Sequence, residues 1–248
     1  MSFSISAKKI KNAEIALICD SEEWSGVKKI AGRVCDDMKA VFGVEPKVCE
    51  AAESLNEAKL RTPILFGTVG KSSLLSNLEK KGLIDLSAVR GKREVYAIPV
   101  VEKFPKAYVS KGADGEFASA MIIAGSEKRG TIYGLFHLSE MLGVSPFIDW
   151  LDMKPAGLES FETETGFCFV SKEPSVRFRG FFINDEWPAF GNFCKKNYGG
   201  FTPKAYVHVF ELLLRLKGNY LWPAMWSSSF AWDGPGLRSY ELADEYGV

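Results

Sequence analysis

Val176-Arg-Phe-Arg-Gly-Phe-Phe-Ile-Asn-Asp-Glu186 decides how the second half of this chain is read. Its first eight residues are aromatic- and β-branched-rich, the pattern of a buried strand. The strand ends on Asn184, Asp185 and Glu186. A helix signal follows: Thr202 suits the N-cap and Pro203 the first helical position. Ala205, Val209, Leu212, Leu213 and Leu216 make its apolar stripe, and Gly218 ends it. Asn219-Tyr-Leu-Trp-Pro-Ala-Met-Trp226 then reads as a short buried strand running into a loop. Strand, helix, strand is one parallel crossover unit.

Polar residues at the C-terminal end of a parallel strand face the ligand side of a barrel or open sheet. Carboxylates there bind sugar hydroxyls, orient water or act as acid and base. The competing reading is that Asp185 or Glu186 caps the following turn. Trp222 and Trp226 stand at the end of the next strand, with Trp232 shortly after. An indole face packs against the apolar side of a pyranose; equally, such rings fill cores. Carboxylates beside tryptophans at neighbouring strand ends fit carbohydrate chemistry best.

Upstream, strands and helices alternate, which gives an α/β or α+β first half. Ile15–Cys19, Lys47–Ala51, Pro63–Gly67 and Glu94–Val101 carry strand signals. A helix is expected over 22–42, where Trp24, Val27, Ile30, Ala31, Val34, Met38 and Val41 recur at helical steps. Others are expected over 72–81 and 128–142. Ala107–Ser110 and Phe117–Ala124 look paired around the turn Gly112–Gly115. Val144–Glu164, with Pro146, Pro155 and Gly157, reads as an irregular connection near a domain boundary. Gly166–Val170 is a further strand. The domains expected are 1–172, a mixed-sheet α/β domain, and 173–248.

Several motifs fail. Gly67-Thr-Val-Gly-Lys-Ser72 hints at a phosphate loop, but the required first glycine is Leu65. Gly125-Ser-Glu-Lys-Arg-Gly130 lacks the middle glycine of a dinucleotide fingerprint. His137 and His208 each lack a second histidine at helical spacing, so no metal site and no cofactor are expected. Cys19, Cys35, Cys49, Cys168 and Cys194 are odd in number and read as free thiols. No G-x-S-x-G or Cys-His signal supports a hydrolase triad.

The bulk properties agree. The 248 residues balance 31 basic against 31 acidic side chains, which speaks against nucleic acid as partner. Hydrophobic residues are 46% and charged residues 25%, ordinary for a globular chain. The run Ile15–Cys19 is too short for a signal-peptide core, and no stretch spans a membrane, so the expected location is cytoplasmic, with secretion by another route as the alternative.

Two stretches carry a family resemblance. One runs from Ala124-Gly-Ser-Glu-Lys-Arg-Gly-Thr-Ile-Tyr-Gly-Leu-Phe-His to Gly143-Val-Ser-Pro146. The other runs from Arg179-Gly-Phe-Phe-Ile-Asn-Asp-Glu186 through His208-Val-Phe-Glu-Leu to Trp226. Both resemble glycoside hydrolase family 115, the xylan α-1,2-glucuronidases, over nearly the whole chain and more weakly before Pro63. The resemblance implies an N-terminal α/β domain followed by a (β/α)8 TIM barrel. It implies inverting release of (4-O-methyl)glucuronic acid from α-1,2-linked xylan side chains. Glucuronoxylan or its oligosaccharides would be the partner, and a homo-oligomer of the full-length parent stays open. Asn184, Asp185 and Glu186 would line the uronic acid pocket at the first barrel strand, with Trp222 and Trp226 at the second. Trp187 stands where the family varies, often with a polar residue. The general acid and the water-positioning carboxylate would come from later strands, beyond Val248. Only about two of eight strand-helix units fit after residue 176. The chain alone is therefore expected to be inactive. The reading from another class is a non-catalytic carbohydrate-binding or domain-interaction module.

Overall fold

The computed structural model describes residues 2–51, 59–226 and 228–248. Its contacts divide into two units. Unit 1 is Met1–Ile148 with Asp152–Pro174, and unit 2 is Asp149–Leu151 with Ser175–Val248.

Unit 1 is built on a six-stranded sheet. Its strands are β2 (Ala16–Cys19), β3 (Lys47–Glu50), β4 (Ile64–Thr68), β5 (Tyr96–Pro105), β6 (Glu116–Gly125) and β8 (Cys168–Val170), in the order β3-β2-β4-β6-β5-β8. β3, β2, β4 and β6 run parallel, and β5 is antiparallel to both its neighbours. The chain is thus α/β with a mixed sheet. The parallel strands show no polar-apolar alternation because both faces are covered: β2 and β4 are buried at every residue. One face packs Ile18, Leu65 and Ile122 against Leu74, Leu75 and Leu78. The last three lie on α3 (Ser73–Lys80). The other face meets α4 (Lys128–Met141) so closely that a Cβ on Gly134 would stand 2.6 Å from the Ile123 side chain.

Local chemistry sets the ends of these elements. Ser72 caps α3 by accepting the Leu75 N–H. α2 (Ser25–Phe42) closes on Gly43, whose φ of 72° is the left-handed cap that glycine adopts freely. α2 begins at Ser25, not at 22, because the Glu23 carboxylate is occupied: it accepts the backbone N–H groups of Trp24 and Thr68.

The structure corrects two sequence expectations and adds a helix. The segment 107–110 is no strand: Lys106–Tyr108 is a 3-10 turn, and β5 runs on to Pro105 to pair with β6. Ser2–Ser6 forms β1, which leads into the short helix α1 (Ala7–Lys11), pairs with β7 (Ser160–Glu164) inside the segment read as irregular, and buries Phe3 and Ile5. The strand expected near 166–170 is β8, and it closes the unit 1 sheet against β5. In unit 2, Ala189–Tyr198 is a helix, α5, ahead of α6 (Pro203–Arg215). Its apolar face is hard to see in the sequence because it buries only Gly191 and Cys194.

Unit 2 pairs β9 (Gly180–Phe182) with β10 (Tyr220–Trp222) in parallel, joined through α5 and α6, and adds α7 (Arg238–Tyr246). The two strands are three residues each, shorter than their sequence patterns. They are not buried: Phe182, Tyr220 and Trp222 are exposed. A two-stranded sheet offers each strand only one neighbour, so alternate side chains stand open. Thr202 sits at the N-cap of α6, but its hydroxyl donates to the Tyr198 carbonyl and leaves the cap unmade. Among the described residues, no helix is long and apolar enough to cross a membrane.

All five cysteines are free, as the spacing indicates. Cys19, Cys35 and Cys194 are buried, and burial raises their thiols to about 12, 12 and 11. Cys168 is exposed. The thiolate is the reactive form. An alkylating reagent at neutral pH is therefore expected to label Cys168 first and to reach the three buried thiols only on unfolding. Prompt labelling of Cys35 in the native chain would contradict the packing of α2.

Candidate sugar-binding site in unit 2

The strand ends of unit 2 gather the polar residues. The Ile183 N–H donates to the Trp222 carbonyl at 2.9 Å and carries the β9–β10 pairing one step further. Next, Asp185 turns inward and is 6% exposed. Its Oδ2 accepts the Ser228 N–H at 2.9 Å, which ties the end of β9 to the loop just past Trp226. Glu186 turns outward, and its Oε1 accepts from the Asn184 Nδ2 at 2.5 Å. The consecutive residues thus take different tasks: Asp185 is the buried carboxylate, and Glu186 orients the Asn184 amide.

Three buried polar atoms here have no partner among the described residues: Asn184 Oδ1, Tyr206 OH and Asp233 Oδ2. Unpaired buried groups are uncommon and call for a ligand, water or another chain segment. Asp233 is a residue that sequence reading did not single out. Burial raises its carboxyl above 3.8, a hydrogen bond from the Ser229 backbone opposes the rise, and the Asp185 charge adds to it. Burial also raises the Tyr206 phenol, with Asp233 and Asp185 contributing. Asp185, Asp233 and Tyr206 therefore form one electrostatic group. No local pattern marks Asp233, since its partner comes from the other strand end.

The tryptophans close to this group in sequence stand in the open. Trp222 is 52% exposed and meets Phe182 edge-on at 5.6 Å between centroids. Trp226 and Trp232 are 77% and 83% exposed. They do not fill the core of unit 2, which is made by Tyr206, Val209, Phe210, Leu213 and Phe230. Trp187 lies against Gly191, where a Cβ would come within 2.4 Å of the indole. Two open concavities of about 560 and 550 Å³ lie elsewhere, around Lys106 in unit 1 and around Pro203 in unit 2, and neither is lined by Asp185 or these tryptophans.

Residues 171–248 match the model of glycosyl hydrolase family 115. A solved family 115 enzyme, BtGH115A, is 28% identical and superposes with a TM-score of 0.74 over 99% of this chain. Residues 171–248 thus carry the likeness to glycosyl hydrolase family 115, and the chain as a whole is similar in fold to a solved member of it. BtGH115A is described as a 4-O-methyl-α-glucuronidase with specificity for decorated arabinogalactans. The present chain spans 29% of its length. A second solved structure, CpGH84D, is 9% identical with a TM-score of 0.48 over 88% of this chain and 28% of its own. The curated proteins searched contain no match.

Elsewhere in unit 2, one further group has metal-ligand character. Asp149, His208 and Glu211 bring three donor atoms within 4.8 Å of one another. His208 Nδ1 lies 3.3 Å from Asp149 Oδ2, and its ring stacks on Tyr198 at 5.0 Å. Glu211 is buried one helical turn before the buried Arg215. These are the residues that could hold a divalent ion. Sequence reading missed the trio because Asp149 comes from 59 residues before His208.

The raised Asp233 carboxyl has a signed consequence. A carboxyl lifted in the folded state binds its proton more tightly there, so stability falls as pH rises from 3.8 through the raised value. At neutral pH the charged Asp233 works against folding. Asp233→Asn is expected to raise the melting midpoint of unit 2 by about 2–4 °C at pH 7. The gain shrinks toward pH 3.8, where the native residue is itself protonated. A gain that grew on acidification would contradict the assignment.

Proposed function

We propose that this chain supplies the N-terminal domain and the first sugar-binding strands of an inverting α-glucuronidase. Its substrate is the (4-O-methyl)glucuronic acid carried on α-1,2-linked side chains of xylan. The observation that carries the reading is the buried Asp185, joined to Ser228 two residues after the exposed Trp226, at the end of the strand paired with the one that ends on the exposed Trp222. A buried acceptor beside open indoles is the combination that holds a pyranose: hydroxyls bond the carboxylate, and the C–H face packs on the ring. The match of residues 171–248 to family 115 supports glucuronidase chemistry, and the unpartnered Asn184 Oδ1 supports a polar ligand. Trp187, on Gly191, would form the rim.

An inverting reaction needs an acid and a base roughly 6.5–9.5 Å apart with water between them. Among the described residues unit 2 holds two parallel strands, and a full barrel has eight. We place the acid and the water-positioning carboxylate on the other strands. Residues 1–248 alone are then expected to bind methylglucuronic acid-bearing xylo-oligosaccharides without hydrolysing them. Calorimetry measures the first and release of methylglucuronic acid the second. Trp222→Ala or Trp226→Ala should weaken binding about fivefold, the equivalent of ~1 kcal/mol for one stacked ring. Turnover by residues 1–248 would refute the division of labour, and binding untouched by either substitution would refute the site.

A further inference from the structure

The two loops of unit 1 that fail as phosphate binders meet at the same edge of the sheet. Gly67–Ser72 follows β4, and Gly125–Gly130 follows β6. Phosphate has no room at the first, because the chain supplies its own anion there. The Asp20 carboxylate, at the end of β2, accepts from Ser72 Oγ at 2.5 Å, Ser73 Oγ at 2.8 Å and the Leu74 N–H at 2.9 Å. Each loop instead brings one lysine to a shared indole. Lys71 Nζ lies 4.3 Å and Lys128 Nζ 5.2 Å from the centroid of Trp24.

Trp24 is 43% exposed on a fixed base. Its backbone N–H donates to Glu23 Oε1 at 2.9 Å. The other Glu23 oxygen accepts the Thr68 N–H at 2.7 Å, and Thr68 Oγ1 meets Thr131 Oγ1 at 2.9 Å. The backbone below the indole is thereby tied to β4 and to α4. The Lys71 ammonium has no hydrogen bond or ion pair among the described residues. The place is also a topological switch point. β2 is followed in the sheet by β3 on one side and β4 on the other, and open α/β sheets take ligands outside the strand ends at such a crevice.

We propose that Trp24, Lys71 and Lys128 form a separate, non-catalytic binding site for a carboxylate-bearing sugar, the glucuronic acid residues of an acidic glycan. The identity of that sugar rests on the function proposed above. The exposed part of the indole takes the C–H face of the pyranose, and the two ammonium groups take its carboxylate. A neutral sugar gains only the stacking, and a simple carboxylate gains only the charge. The site therefore selects a ligand that has both.

The test is a nuclear magnetic resonance titration of residues 1–248 with sodium glucuronate, with glucose and sodium acetate as parallel arms. Glucuronate is expected to move the Trp24 indole N–H and the amides of Lys71 and Lys128, with affinity about tenfold above either control. The double variant Lys71→Gln, Lys128→Gln should lose about tenfold, with the resonances of Leu17 and Ile122 unmoved as a check on the fold. Asp185→Asn should leave the Trp24 response unchanged. Acetate matching glucuronate would overturn the proposal, because the site would then bind any anion. A silent Trp24 with responding Trp222 and Trp226 would overturn this site alone. Silence at all three would overturn the uronic acid ligand for both units.

Discussion

Replacing Gly180 by alanine is expected to unfold unit 2 while unit 1 stays folded. Gly180 pairs with Tyr220 in the β9–β10 ladder, and a Cβ on Gly180 would stand 1.6 Å from the Tyr220 carbonyl oxygen and 2.6 Å from its carbon. The obstacle is backbone, which cannot swing aside as a side chain end can. The strands cannot part either, because they are stitched immediately upstream. The Arg179 N–H donates to Asn219 Oδ1 at 2.9 Å, and the Asn219 N–H donates to the Arg179 carbonyl at 2.7 Å. The Arg179 guanidinium donates from Nε and Nη2 to the Lys217 carbonyl at 3.0 and 2.9 Å. Admitting one methyl breaks this set, a loss of about 3 kcal/mol or more. Hydrogen exchange reads it: the Ile183 amide, bonded to Trp222, should lose protection while amides of β4 and β6 keep theirs. Gly32→Ala is the control, since its Cβ meets nothing within 4 Å and lies inside α2. That change should add about 0.5–1 kcal/mol to unit 1. A Gly180→Ala chain with the native unit 2 midpoint would refute the register of the pair.

Arg179-Gly180 belongs to the longer motif that carries the family resemblance, and the packing supplies a reason for both residues. It also shows where a sequence stops being informative. Buried parallel strands are legible because both faces are apolar, so Ile15–Cys19 and Pro63–Gly67 stand out as runs. α2 is legible because its wide buried face repeats at three and four residues. β1 carries an equally plain alternation in Ser-Phe-Ser-Ile-Ser, but its partner β7 lies at the far end of unit 1, and a lone alternating segment says nothing of what it pairs with. The 107–110 segment looks like a strand by its valine and tyrosine content, although the Lys106 carbonyl takes the Val109 and Ser110 N–H groups and turns the chain before a strand can form. The site divides along the same line. Asn184, Asp185 and Glu186 can be picked out as polar residues closing an apolar run. Which of the three is buried cannot, because that depends on Ser228. Asp233 and Tyr206 join Asp185 only through folding.

Glu23→Ala is expected to remove about 3–5 kcal/mol from unit 1, a large share of the roughly 5–15 kcal/mol that usually holds a domain. Glu23 is 5% exposed, and its carboxylate accepts from three donors: the Trp24 N–H, the Thr68 N–H and Thr68 Oγ1. Thr68 is itself buried, and so is Thr131 beyond it. Alanine would strand buried donors in a tightly packed space, where a Cβ on Gly67 would stand 2.7 Å from the Ser72 Cβ and one on Gly125 2.0 Å from the Thr131 nitrogen. Glu23→Gln separates charge from shape. Its carbonyl can still accept from one donor set, but its amide faces another donor, so it should lose less than alanine and more than nothing. Urea unfolding at neutral pH orders the three chains. The loss should fall on unit 1 alone, and the Trp24 indole should broaden in the alanine variant even below the unfolding transition, because its backbone anchor is gone. Equal midpoints for the native and Glu23→Ala chains would mean that the strand ends of β2, β4 and β6 hold together without the buried carboxylate. The fixed base assigned to Trp24 would fall with it.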